Sequence, residues 1–297
     1  MSPGKRVAEA MSERILITGG GGFLGLPLCD RLRELGNEVL SVSRHSDVDV
    51  SDWNHVSSVE RCDVVYHLAA VAGVDEALAR PRESYTTNVL GTLHMLEYCR
   101  IRKARRLVFA SSYVYGQPKY LPVDEDHPLS PGNPYAQSKI IGETLCRQYY
   151  EDYGVSVVIL RIFNPYGPRQ RGSFLIPTVL NQLQRRGKVL LRDPAPRRDF
   201  VFVQDVVDAF TMAGAYVGSE FAIFNVASGR SYSVSEIVGK IRNIHGRPFE
   251  VVYTGPSRPF EIPDCVAGVE RSKRNLGWQA KTDIDNGLRQ TVEAWTW

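Results

Sequence analysis

The sequence predicts an α/β fold: a doubly wound parallel sheet with a smaller α/β region toward the C-terminus. Three observations predict it. Apolar, strand-like runs alternate with helical ones, the pattern that sets parallel strands between helices on both faces. A glycine-rich turn joins the first strand to the first helix. After Arg161 the texture changes: Pro165, Gly167, Pro168, Gly172 and Pro177 punctuate the chain, and short strands appear among helices.

Each element follows from its residues. Residues 15–18 are apolar and β-branched, hence a buried first strand. Gly19 to Gly22 make the turn, residues 26–35 carry apolar helical spacing, and Gly36 stops that helix. Pro27 fits only in the first turn, where its missing N–H has no partner to lose. Strands are expected at 39–42, 47–50 and 64–68, then a helix over 85–102, a strand at 107–110, a helix over 135–153 and a strand at 157–160. Asn133 and Pro134 suit the N-cap and first position of the 135–153 helix. Farther on, 197–203 and 249–253 read as short strands. Ser233-Val234-Ser235-Glu236 has the form of a capping box, opening a helix to about residue 244. No repeat or low-complexity linker intervenes, so the second region is expected to pack directly on the first.

Composition narrows the classes of function. With 297 residues and 43% hydrophobic content, the chain can fill one large or two unequal cores. A net charge of only +3 gives no basis for a nucleic-acid partner. Cys29, Cys62, Cys99, Cys146 and Cys265 form no CxxC, and the six histidines lack ligand spacing, so no metal site is expected and the thiols suit a reducing compartment. No apolar run reaches membrane length and no signal peptide precedes the first strand, so the expectation is a cytoplasmic protein without a membrane partner. Residues 1–12 read as a flexible extension, with Met11 as an alternative start.

Three pieces carry chemistry. Tyr135 and Lys139 are four apart and share a helical face. A phenol ionises near pH 10, so its use as a base near neutrality needs a drop of roughly three units, about 4 kcal/mol, and a neighbouring ammonium supplies part of it. The glycine turn lets backbone approach a pyrophosphate, whose charge then lies at a helix N-terminus. Ser111 and Ser112 end an apolar strand, the sheet edge at which α/β folds bind ligands. At the end of the second strand stand Ser43 and Arg44 instead of the acid that binds a ribose 2′-hydroxyl. A guanidinium there suits a 2′-phosphate, so NADP(H) is favoured and NAD(H) is the alternative.

Thr18-Gly19-x-x-Gly22-x-x-Gly25, His67-Leu68-Ala69-Ala70, Ser111, Tyr135-x-x-x-Lys139 and Arg198-Asp199-Phe200 together resemble the extended short-chain dehydrogenase/reductase family. Within it, the chain resembles the epimerases, dehydratases and reductases of nucleoside-diphospho-sugars, from about Arg14 to the C-terminus. The resemblance implies a Rossmann-type cofactor domain over 13–165, with returning segments near 198–228, and a nucleotide-sugar-binding domain mainly in 166–297. It implies cofactor contacts from Gly19, Gly22, Phe23, Leu24, Gly25, Leu68, Ala69, Ala70 and Asn88, with Asp49 and Val50 at the adenine. Tyr135 becomes the general acid/base, and Lys139 holds the nicotinamide ribose and lowers the tyrosine pKa. Counting back from Tyr115-Gly116 selects Ser111 for the reacting sugar oxygen. The segment is one residue shorter than some family versions, which leaves Ser112 as the alternative. Asn164, Arg198, Arg258 and Glu261 match positions that contact the sugar, diphosphate and ribose of the substrate, though Phe260 departs from the usual glycine. Family members often dimerise through the helices at 85–102 and 135–153, where Leu93, Leu96, Ile140, Ile141 and Leu145 give apolar surface in excess of one stripe, so a homodimer is expected.

The resemblance also separates reaction types. Its dehydratases carry Asp-Glu after the catalytic hydroxyl and its decarboxylases a glutamate; here Ser112-Tyr113 offers no carboxylate for elimination. The residues at 43–44 and the short path from Ser43 to Asp49 favour an NADP(H)-dependent 4-keto(-6-deoxy) sugar reductase. An NAD(P)-dependent nucleotide-sugar 4-epimerase is the alternative. A non-catalytic cofactor-binding protein is a more distant one, disfavoured by the presence of Ser111, Tyr135 and Lys139.

Overall fold

The computed structural model describes residues 12–43, 48–172, 174–246, 248–255 and 261–295. Its strands are β1 (Arg14–Thr18), β2 (Glu38–Val42), β3 (Val64–His67), β4 (Arg106–Ser112), β5 (Val157–Ile162), β6 (Asn164–Tyr166), β7 (Lys188–Leu191), β8 (Arg197–Phe202), β9 (Phe221–Val226), β10 (Ser231–Ser233) and β11 (Glu250–Tyr253). Its helices are α1 (Gly25–Glu34), α2 (Trp53–Ser58), α3 (Val74–Ala79), α4 (Pro81–Tyr85), α5 (Gly91–Arg102), α6 (Pro134–Tyr153), α7 (Leu175–Arg186), α8 (Val203–Gly214), α9 (Val234–His245) and α10 (Ile284–Glu293).

Six strands form a wholly parallel sheet in the order β2-β1-β3-β4-β5-β9. The inner strands are apolar and buried along almost their whole length, as a sheet covered on both faces requires. One face packs Leu28, Val207 and Phe210 from α1 and α8, the other Met95, Leu96 and Cys146 from α5 and α6. A separate cluster gathers Tyr166, Leu180, Phe202, Ile237 and Leu288 around the three-stranded sheet β10-β8-β6. All six parallel strands therefore deliver their C-terminal ends to one rim, where α/β folds place their ligands.

Local chemistry sets the boundaries. Asn133 caps α6 by accepting from Ala136 N at 2.9 Å, with Pro134 in the first position. Ser233 and Glu236 close the expected capping box at α9. Pro27 falls in the first turn of α1, where it removes no helical hydrogen bond. The strand expected at 47–50 is corrected. Residue 47 lies outside the described residues, and 48–50 turn into α2, because Asp49 Oδ1 accepts from Ser51 N at 2.9 Å and Asp52 caps the helix. The helix expected over 85–102 contains a π-helical turn at Thr86–Leu90 before α5. Of the apolar residues singled out on α5 and α6, Leu96 is in the core, whereas Leu93, Ile140, Ile141 and Leu145 are half-buried. Among the described residues no helix is long and apolar enough to cross a membrane.

Candidate active site

A cleft of about 1110 Å³ opens along the C-terminal rim of the parallel sheet. Gly19, Gly22, Phe23, Leu24 and Gly25 line one end of it, with Ser43, Asp49, Val50 and the Leu68-Ala69-Ala70 segment beside them. Two glycines there are sterically required. Gly19 has φ +75°, and a Cβ on it would lie 2.8 Å from Ala69 N; a Cβ on Gly25 would lie 2.2 Å from Gly19 O. The turn is pinned to β2 by Gly19 N and Gly20 N, which donate to Val42 O at 2.7 and 3.1 Å. No side chain caps the N-terminus of α1, so that helix end faces the cleft with its own amides. A cradle that a methyl group would fill, ending at an uncapped helix, fits the pyrophosphate of a dinucleotide. Arg44, the expected partner of a 2′-phosphate, and Arg258 lie outside the described residues.

Behind the turn runs a buried hydrogen-bond chain. Ala69 N donates to Thr18 Oγ1 at 3.3 Å, Thr18 Oγ1 pairs with His67 Nδ1 at 2.7 Å, and His67 Nε2 pairs with Thr92 Oγ1 at 3.1 Å. Thr92 Oγ1 donates in turn to Asn88 O at 2.6 Å. Because Thr92 donates to Asn88 O, a neutral His67 carries its proton on Nε2 and accepts from Thr18 at Nδ1. Burial holds it neutral, its pKa pushed down from 6.5 to about 3. An unfolded histidine takes up a proton below about pH 6.5 and the folded one does not, so stability is full above that pH and lost as pH falls toward 3. By pH 5 the loss is expected to reach about 2 kcal/mol. Urea unfolding at pH 7 and pH 5 checks it: His67→Gln should flatten that difference, and an equal slope in the variant would remove His67 as its source.

Asn88 is a correction. It was expected at the cofactor, but it is 1% exposed and turned away from the cleft. Its Oδ1 accepts from Val71 N at 2.8 Å and its Nδ2 donates to Ser138 Oγ at 2.9 Å. It thus ties the loop after β3 to α6 and shapes the cleft wall from behind. Asn88 is the buried residue of the π-helical turn at Thr86–Leu90.

At the middle of the cleft the expected set is rearranged by one residue. Ser111 was selected by counting, yet its hydroxyl is buried and donates to Glu143. The reason is strand alternation: Ser111 shares a face with Phe109, beneath α6, where Glu143 waits. Ser112, at the strand end, lines the cleft with the Tyr135 phenol, whose pKa it draws down. Lys139 Nζ donates to Ala110 O at 2.8 Å and lies 6.0 Å from the centre of the Tyr135 ring. Burial raises the Tyr135 pKa, opposed by Ser112, and pushes Lys139 down to about 8. The phenol therefore carries its proton in this state, and the ammonium is poised near neutrality.

A second cavity of about 480 Å³ adjoins the first, and Phe163, Asn164, Pro165, Gln170 and Phe174 line both. Asn164 is held at that junction by donating to Asp199 O at 3.0 Å. Arg198 and Glu261 both line the second cavity and form an ion pair with each other. Asp199, between them and the core, accepts from Ser228 N, Ser228 Oγ, Gly229 N and Ala267 N at 2.7 to 3.1 Å. It clamps two segments, the Ser228-Gly229 loop and the backbone at Ala267, to the RDF strand β8. Glu143 and Arg161 escaped the sequence reading, although Glu143 continues the four-residue spacing of Tyr135 and Lys139 and so had a visible signal.

A family model described as the NAD dependent epimerase/dehydratase family matches residues 15–227. The chain is 31% identical to the UDP-glucose 4-epimerase of Mycolicibacterium smegmatis, over 94% of this chain and 97% of that protein. Among solved structures it is similar to MoeE5 in complex with UDP-glucuronic acid and NAD, at 30% identity and a TM-score of 0.89 over 95% of this chain and 98% of that one. It is similar too to RMD from Pseudomonas aeruginosa complexed with NADPH, at 29% identity and a TM-score of 0.88 over 96% and 99%.

Proposed function

Since the chain belongs to the NAD dependent epimerase/dehydratase family, we propose that it is a nucleotide-sugar 4-epimerase working through Tyr135, Ser112 and Lys139. It is an NAD(P)-dependent enzyme of the extended short-chain dehydrogenase/reductase kind. The reductase expected first has less support than the epimerase, because the relatives bear epimerase names. The observation that carries the reading is that Ser112, Tyr135 and Lys139 line one cleft together with the glycine cradle, next to the second cavity.

The glycine turn and the α1 N-terminus would hold the pyrophosphate of the dinucleotide and Lys139 its ribose, and the bound group would supply reversible hydride transfer at the sugar C4. Tyr135, once its phenol is ionised, removes the proton of the C4 hydroxyl and gives it back, while Ser112 fixes that oxygen by a hydrogen bond. Asn164, Arg198 and Glu261 receive the nucleotide end of the substrate, the Arg198–Glu261 pair opening so that the guanidinium meets a phosphate. Tyr113, which follows Ser112, offers no acid or base for elimination; its hydroxyl donates to Gly116 O at 2.6 Å.

A second reading has one observation in its favour. The end of β2 brings Ser43 to the cleft in place of an acid, which suits NADP(H) and with it a 4-keto sugar reductase. A panel of UDP-, dTDP-, GDP- and CDP-sugars read by mass spectrometry and by NAD(P)H absorbance separates the two. The expected result is interconversion of two sugar nucleotides without net cofactor turnover, and with NADP(H) bound more tightly than NAD(H). Stoichiometric NADPH consumption with a 4-keto sugar would instead establish the reductase.

A further inference from the structure

The helix that carries Tyr135 and Lys139 holds a third polar residue on the same face. Glu143 follows Lys139 by four, as Lys139 follows Tyr135, so the three stack along one side of α6. Each reaches a different point of the same end of β4: Tyr135 the Ser112 side chain, Lys139 the carbonyl of Ala110, Glu143 the Ser111 hydroxyl. On its far side Glu143 is held by Arg161 of β5, whose Nε lies 3.0 and 3.2 Å from the two carboxylate oxygens and whose Nη2 lies 2.7 Å from Oε2. Ser111 and Arg161 stand opposite each other in the β4–β5 register, so one carboxylate ties two strands to the helix. The guanidinium goes on to donate to Tyr115 Oη at 3.1 Å and to Glu125 O at 2.9 Å. Both charged side chains are buried, at 6% and 4% exposure, and neither lines the cleft or the second cavity.

We propose that Glu143 is a positioning residue that fixes the register of α6 on β4 and keeps a negative charge behind Lys139. The proposal rests on the reading of Tyr135, Ser112 and Lys139 as the reacting set. A slip of one helical residue moves the phenol by about 1.5 Å. Misplacement by about 1 Å can cost a hundredfold in rate. The charge matters because of what surrounds the buried ammonium. His67 faces it from β3, the Phe109 ring from β4 at 4.9 Å, Tyr135, Glu143 and Cys146 from its own helix, and Arg161 stands behind Glu143 on β5. Glu143 opposes the burial that lowers Lys139. Neutralising it would leave the Arg161 cation without its counter-charge.

Three variants separate register from charge. Glu143→Asp keeps the charge and shortens the reach, Glu143→Gln keeps the shape without the charge, and Ser111→Ala removes one tie while leaving the ion pair intact. Rates are expressed per NADPH-loaded enzyme, so that a loss of folded protein is not counted. Glu143→Asp and Ser111→Ala are then expected to lower kcat about tenfold with KM within about threefold. In Glu143→Gln, the pH at which NADPH affinity falls on the alkaline side should move down relative to wild type. A merely structural role would leave kcat per loaded enzyme at the wild-type value in Ser111→Ala and Glu143→Asp, and that result overturns the proposal. If the wild type converted no nucleotide sugar, the reading of the site would fail separately. Fluorescence titration of NADPH then decides, and an alkaline midpoint unchanged between wild type and Glu143→Gln counts against Glu143. Should Glu143→Gln not fold, Ser111→Ala and Glu143→Asp carry the decision by kcat, or by unchanged NADPH affinity if there is no turnover.

Discussion

Tyr135→Phe is expected to lower turnover by at least a hundredfold while NAD(P)H affinity stays within a few-fold of wild type. The substitution keeps the ring and its packing and removes the cleft hydroxyl proposed to exchange a proton with the C4 oxygen. General acid/base groups contribute about a hundredfold to ten-thousandfold, which bounds the loss. Lys139→Met should differ in kind, weakening cofactor binding together with turnover, because its ammonium lies in the cleft and beside the phenol ring at once. Steady-state rates on the best sugar of the panel, with fluorescence titration of NADPH, read both effects. Near-normal turnover in Tyr135→Phe would sink the mechanism whatever the substrate.

Gly25→Ala is expected to abolish cofactor binding, with NADPH affinity reduced by more than a hundredfold. The added methyl would sit 2.2 Å from Gly19 O and 2.7 Å from Gly20 Cα, and both are backbone atoms of the turn that cradles the pyrophosphate. Overpacking of this kind costs about 1–3 kcal/mol, and here relief requires opening the turn itself. Gly239→Ala provides the contrast. Nothing lies within 4 Å of a Cβ at that position in α9, so the variant should bind NADPH as wild type and gain about 0.5–1 kcal/mol from a better helix former. If Gly25→Ala bound NADPH normally, the glycine turn would not be the phosphate cradle.

How much of this was legible in the residues differs from place to place, for physical reasons. The glycine turn, the Asn133-Pro134 cap, the capping box at Ser233 and the Tyr135–Lys139 pair are local: each is decided within a few residues by backbone freedom, cap chemistry or helical period. Periodicity likewise marked the strands that are buried on both faces. It failed at 48–50, where β-branched residues suggested a strand and the Asp49 side chain made a turn instead. It did not show the π-helical turn, which is one i→i+5 turn inside an otherwise continuous helical run.

What the sequence by itself determined is the fold class, the glycine turn proposed as the cofactor cradle and the Tyr135–Lys139 pair proposed to move the proton, since these follow from spacing along one strand or one helix. The tertiary structure alone decided which serine meets that pair, where Asn88 points, and that Glu143 and Arg161 lock the helix to the sheet. Each of those depends on which face of β4 lies under α6 and on the register of β4 against β5, and both are set by packing between segments 18 to 50 residues apart in the chain.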